Sequence, residues 1–260
     1  MQVIIARSAQ EVAQLGADYY ARLLEKKHHA VLGLATGGTP VALYNELIQR
    51  CTNNELSFRD VRTFNLDEYV GLDPSHPQSY RYFMNKHLFD HVDIVTGNTH
   101  VPDGMADPEL AAKRYEELIQ DLGGIDLQVL GIGSNGHIGF NEPSSSLSSR
   151  TRIKTLMPET VSDNSRFFAA DEFQPSLAIT MGIGTILDAR KVLLLATGAA
   201  KADAVQAMVE GPLAARCPAS ALQMHSDVVV IVDEEAAANL SQREYYHQVR
   251  IETDQLVDKR

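Results

Sequence analysis

The chain is short of cysteine, of long apolar runs and of basic charge, and each shortage narrows what it can be. Among 260 residues there are two cysteines, Cys51 and Cys217, neither in a CxxC pair nor beside a ligand cluster. No disulfide framework or zinc site is visible in that spacing, and a reducing, cytoplasmic setting fits it. The wholly apolar runs, such as residues 228–232, are far shorter than the roughly 20 residues a membrane-spanning helix needs. The first seven residues, MQVIIAR, lack the basic and apolar blocks of a secretion signal and read as a first strand. Lysine and arginine number 23 against 34 aspartate and glutamate, a net charge of −11. That balance argues against nucleic acid or an anionic membrane as the main partner. A small anion remains compatible, because one helix N-terminus and a few cations suffice to hold it.

What the chain does have is a regular alternation. Apolar runs at residues 3–6, 30–35, 61–66, 126–132, 177–180, 192–196 and 228–232 read as strands. Between them lie amphipathic stretches. Ser8 and Glu11 form a capping-box signature for a helix to about Lys26. Thr39 can cap the next helix, with Pro40 at its first position. Helical patterns also cover residues 79–91, residues 108–122 behind Asp107, and residues 201–209. Continuous apolar strands alternating with helices imply an α/β fold, a mostly parallel sheet with helices on both faces and a modified Rossmann-like architecture. No linker composition interrupts residues 1–260, which predicts a single domain. In such sheets ligands bind beyond the carboxyl ends of the strands. The polar clusters at residues 36–39, 67–68, 134–142 and 198–201 all follow strands, so all should meet at one mouth.

Each cluster has two readings. Thr36, Gly37, Gly38 and Thr39 suit a phosphate, because a glycine turn before a helix aims backbone N–H groups at one point; they equally suit a tight strand–helix turn. Asp67 and Glu68 end a strand, where neighbours point to opposite sides, so one of them can face a pocket and move a carbon-bound proton. The other reading is a solvated acidic turn. Residues 131–136 match GxGxxG, the dinucleotide fingerprint. Pro143 and a serine run follow too soon for the long helix that fingerprint needs, and Glu159 is a weak choice for its acidic partner. An irregular loop is the better reading. In it His137 can exchange a proton near neutral pH, and Glu142 is close enough to orient it. Arg150, Arg152 and Lys154 share one face of an extended segment. With Arg166 and Lys201 they could clamp phosphates or form a solvated basic face. His87 and His91, four apart, lack a third metal ligand and read as cations near a helix C-terminus.

Taken in order, the segments LATGGTP, TFNLDEYVGL, GIGSNGHIGFNEP, SSLSSRTRIKTL, DNSRFF and TGAAKADAV resemble the glucosamine-6-phosphate deaminase family, over roughly residues 32–233. Each motif is modestly specific; the set in this order is highly specific. The resemblance implies conversion of glucosamine 6-phosphate and water to fructose 6-phosphate and ammonia, in amino-sugar catabolism, without metal or cofactor. It places Asp67 as the carboxylate that shuttles a proton between C2 and C1. His137 assists ring opening, Glu142 pairs with it, and Asn135 stands where some members have Asp and can only orient by hydrogen bonds. Phosphate contacts would come from Thr36, Gly37, Gly38, Thr39, Arg166 and Lys201. Some members bind N-acetylglucosamine 6-phosphate as an allosteric activator between subunits of a hexamer. The matching residues are Ser145, Arg152 and Lys154, with Tyr245 or Tyr246 as candidates for a C-terminal tyrosine. The rivals are a 6-phosphogluconolactonase-like hydrolase, a non-catalytic sugar-phosphate sensor and a nucleotide-dependent oxidoreductase.

Overall fold

The computed structural model describes residues 1–157 and 173–257. The strands are β1 (Gln2–Ala6), β2 (Val31–Leu34), β3 (Arg62–Asn65), β4 (Asp67–Tyr69), β5 (Thr99–His100), β6 (Leu127–Leu130), β7 (Arg152–Thr155), β8 (Leu177–Thr180), β9 (Val192–Ala196) and β10 (Val228–Asp233). Seven of them form one sheet in the order β1-β10-β9-β6-β2-β3-β5. Every pairing in it is parallel. All residues of β2, β6, β9 and β10 are buried, which is why these strands are apolar runs rather than alternating patterns.

The helices are α1 (Ala9–Lys26), α2 (Gly38–Thr52), α3 (Tyr80–His87), α4 (Pro108–Asp121), α5 (Ile183–Leu187), α6 (Ala202–Val209) and α7 (Arg243–Val257). In α1 the buried Val12, Ala13, Gly16, Ala17, Tyr20 and Leu24 form the stripe that packs on the sheet. Ser8 caps it by accepting from Glu11 N–H. The Glu11 carboxylate reaches Arg7 N–H rather than Ser8 N–H, so the capping box is only half closed.

Three local expectations need correction. Helix α2 begins at Gly38 with Gly37 as its cap (φ 108°), so Thr39 and Pro40 lie inside the first turn. The stretch 79–91 is not one helix: Leu88 (φ −147°, ψ −60°) ends α3, and Phe89–His91 forms a separate 3₁₀ turn. The strand at residues 177–180 is not part of the parallel sheet. As β8 it is the centre of a three-stranded antiparallel sheet, β4-β8-β7. That sheet grows from the end of β3: Leu66 N–H still bonds Leu34 O, and Leu66 O accepts from Met181 N–H. Its register sets Asp67 opposite Thr180, and Thr180 opposite Arg152. No helix among the described residues is long and apolar enough to cross a membrane.

Candidate active site

Because the sheet is parallel, the carboxyl ends of β2, β3, β6 and β9 open on the same side, and the segments that follow them line one cavity of about 460 Å³. Thr36, Gly37, Gly38 and Thr39 form one rim, at the N-terminus of the 15-residue α2. The unpaired N–H groups and the dipole of that helix favour an anion there. Lys201 faces the same space from the turn after β9. That turn is fixed by Gly198 N–H, which donates to the Asp233 carboxylate at 3.0 Å. Burial lowers the pKa of the Lys201 ammonium. No carboxylate among the described residues pairs with it, so an incoming anion would be its natural partner.

Asp67 lies deep in the cavity, only 5% exposed. Burial, reinforced by the neighbouring Glu68 charge, pushes its pKa up to about 8. Hydrogen bonds from the Thr180 hydroxyl and Phe140 N–H act in the opposite direction. Glu68 points the other way along β4. Its carboxylate accepts from the N–H groups of Tyr69, Tyr80 and Arg81, at 2.9, 3.0 and 2.9 Å. Of the two adjacent acids, one therefore anchors the start of α3 and the other faces the cavity.

The opposite wall is the loop after β6. His137 Nδ1 lies 3.4 Å from Glu142 Oε2. That is long for a hydrogen bond, and such contacts tighten when substrate is bound. Asn135 braces both residues: its carbonyl oxygen accepts His137 N–H at 3.1 Å, and its amide donates to Glu142 Oε2 at 2.9 Å. The imidazole packs against Gly133, where a Cβ would come within 2.4 Å of the ring atoms, so a side chain there would evict His137. Asn141 locks the loop to its surroundings, its amide donating to Ile138 O and Met181 O. No helix begins after residues 131–136, so the GxGxxG match lacks the element that would hold a pyrophosphate.

Arg150 pairs with Glu116 and Asp188, which takes it away from any phosphate. Arg166 lies outside the described residues. Ser145, Arg152 and Lys154 do not line the cavity. Ser145 is buried with no partner for its hydroxyl, and Arg152 donates to Asn141 Oδ1 at 2.9 Å. Tyr245 and Tyr246 sit on α7, which packs on the edge strand β1. Strand β7 instead packs on α4, beyond β3 at the other side of the sheet. Sequence reasoning missed Tyr80 and Phe140, which line the cavity with their rings stacked at 5.9 Å and 18°. It also missed Thr180 behind Asp67. A tyrosine right after the cap Ser79 and a threonine closing a strand are both ordinary, and only the fold brings them to the site.

Comparison with known proteins gives a consistent result. The family described as glucosamine-6-phosphate isomerases/6-phosphogluconolactonase matches residues 5–231. A glucosamine-6-phosphate deaminase of Hahella chejuensis is 65% identical over 253 residues, 97% of each chain. One from Cellvibrio japonicus is 59% identical over 260 residues, 100% of this chain and 99% of its own. Among solved structures, a monomeric glucosamine-6-phosphate deaminase aligns at TM-score 0.89 and 45% identity, covering 92% of this chain and 100% of that one. A 6-phosphogluconolactonase from Trypanosoma cruzi aligns at TM-score 0.73 and 22% identity, over 92% of this chain and 97% of its own, a likeness of fold alone.

Proposed function

Because the chain belongs to the glucosamine-6-phosphate isomerase/6-phosphogluconolactonase family, we propose that it converts glucosamine 6-phosphate and water to fructose 6-phosphate and ammonia, acting as a single domain. The observation that carries this reading is a buried carboxylate, Asp67, sharing one cavity with His137 and with an anion-binding rim.

The phosphate sits against the N-terminus of α2 and Lys201, with Arg166 as a further candidate contact, and fixes the sugar relative to the reacting groups. His137, held by Glu142 and Asn135, moves a proton as the ring opens. Asp67 removes the C2 proton of the open chain and delivers a proton to C1. The resulting C2 imine takes up water and releases ammonia, which balances the reaction. Every step is a proton transfer, the addition of water or the departure of ammonia from C2, so the proposal requires no cofactor and makes the net change hydrolytic. A carboxylate poised near neutrality suits both halves of a shuttle, since it must accept a proton and give one back.

The same reading extends to assembly. N-acetylglucosamine 6-phosphate would bind at Ser145, Arg152 and Lys154, with Tyr245 or Tyr246 supplied by a neighbouring subunit of a cytoplasmic homohexamer. The position of α7 on the β1 edge supports this, since one chain does not bring the two halves together. The test is ammonia release from glucosamine 6-phosphate, with and without the acetylated sugar, alongside the sedimentation mass. Release establishes the reaction. A sigmoidal substrate curve made hyperbolic by the acetylated sugar establishes the activator site. A monomer indifferent to it rejects the hexamer and the activator, and no release rejects the deaminase in favour of the lactonase or the sensor.

A further inference from the structure

Asp67 carries the central proton transfer of the proposed reaction, and its side chain is held from behind. Thr180 closes β8 directly across from Asp67 and is wholly buried. Its oxygen accepts Phe140 N–H at 3.1 Å. A hydroxyl has a single proton to give, and the carboxylate that Thr180 faces across the ladder is that of Asp67. Thr180, Phe140 and Asp67 thus form one compact cluster, with Phe140 N–H on the Thr180 oxygen and Asp67 opposite Thr180. Gly139 covers it with φ +55°, and a Cβ at that residue would lie 3.1 Å from Thr180 Oγ1 and 3.2 Å from Asp67 Oδ2. The close approach of these two side chains therefore depends on a residue without a side chain at that position. Thr180 does not itself line the cavity, so anything it does for the substrate passes through Asp67.

From this geometry we propose that Thr180 is a positioning residue for the proton shuttle: its hydroxyl tethers the Asp67 carboxylate, fixes the direction in which it meets C2 and C1, and favours the ionised form that accepts the C2 proton. The identity of the transferred proton rests on the deaminase reading; the hydroxyl–carboxylate contact does not. The other groups that act on Asp67 or share its cavity are Glu68 and Tyr69 on its own strand, Tyr80 from α3, Tyr115 from α4, His137 from the loop and Lys201 from the far rim. Arg152 stands one strand further out in the same row. All remain in place when only the Thr180 hydroxyl is removed.

The test compares wild type, Thr180→Val and Thr180→Ser. Its first readout is the titration of the Asp67 carboxyl by carbon-13 NMR, with the signal assigned by its loss in Asp67→Asn. Valine keeps the shape and deletes the donor, so the midpoint should rise by about one pH unit. Serine keeps the donor and should stay near wild type. Turnover is the second readout: at pH 7 the valine variant should lose about tenfold in kcat with KM nearly unchanged. An unmoved midpoint in a folded valine variant overturns the proposal, as does a serine variant shifted as far as valine. A variant that only melts earlier, with the same midpoint, shows a purely structural threonine and also overturns it. If the wild type releases no ammonia while the midpoint moves as expected, the deaminase reading fails and the tether stands.

Discussion

The two sheets are built on different principles and do different work. The seven-stranded sheet is parallel and buried on both faces, and its contribution to the site is positional. It ends four strands at one mouth and presents the N-terminus of α2 and Lys201 there. The three-stranded sheet is small and antiparallel, with the charged strands DEY and RIKT on either side of LAIT. Its row at one end is Asp67, Thr180 and Arg152. In the proposed reaction the large sheet offers the anion site, whereas the small one holds the carboxylate whose pKa burial raises. In the proposed reaction binding and proton transfer then fall to separate elements, and a substitution in one should spare the job of the other.

That division can be broken most forcefully at Asp67. Asp67→Asn keeps the shape and removes the base, so steady-state ammonia release should fall by about 10²–10⁴-fold in kcat with KM nearly kept. Near-normal turnover would show that the small sheet does not carry the chemistry. Next in size is Lys201→Ala on the other side of the comparison. Losing one charge-assisted contact to phosphate should raise KM about ten- to a hundredfold while kcat falls much less. A loss confined to kcat would put Lys201 among the reacting groups instead.

The pH dependence sharpens the same point. In the free protein Asp67 titrates near 8, so kcat/KM should climb as pH rises through about 8, where the base becomes ionised. A limb in the ordinary carboxylate range would contradict the burial argument. The smallest expected effect is on stability. The folded carboxyl holds its proton up to about pH 8, whereas the unfolded one loses it in the usual carboxylate range. The folded chain is therefore favoured at low pH, and that advantage fades as pH climbs toward 8. Asparagine has no proton to lose, so the melting temperature of Asp67→Asn should gain on wild type between about pH 5 and pH 8. A gain of about 2–4 °C accompanies each kcal/mol in a chain of this size. A constant difference across that range would mean that Asp67 is not buried as a neutral acid.

The same contrast explains what the sequence disclosed. Strands such as β9 and β10 are legible because burial on both faces demands unbroken apolar residues, a local signal. The clusters at 36–39, 67–68, 134–142 and 198–201 are legible because they follow such strands. The small sheet is not, because its strands are three or four residues long and pair residues 177–180 with 67–69 on one side and 152–155 on the other, a relation no local period reveals. Read locally, 177–180 looks like another strand of the parallel sheet. Asn135 could be named as a residue that orients His137. Its bridge to the Glu142 carboxylate appears only when the loop folds back on itself. Thr180 had no signal at all, since a threonine at a strand end is commonplace until its opposite number is known.

The most direct test of the division is calorimetric binding of fructose 6-phosphate, the proposed product, to wild type, Asp67→Asn and Lys201→Ala. The account predicts that Asp67→Asn binds within a few-fold of wild type and that Lys201→Ala binds at least about tenfold more weakly. Equal losses in the two variants, or the weaker binding in Asp67→Asn, would contradict it.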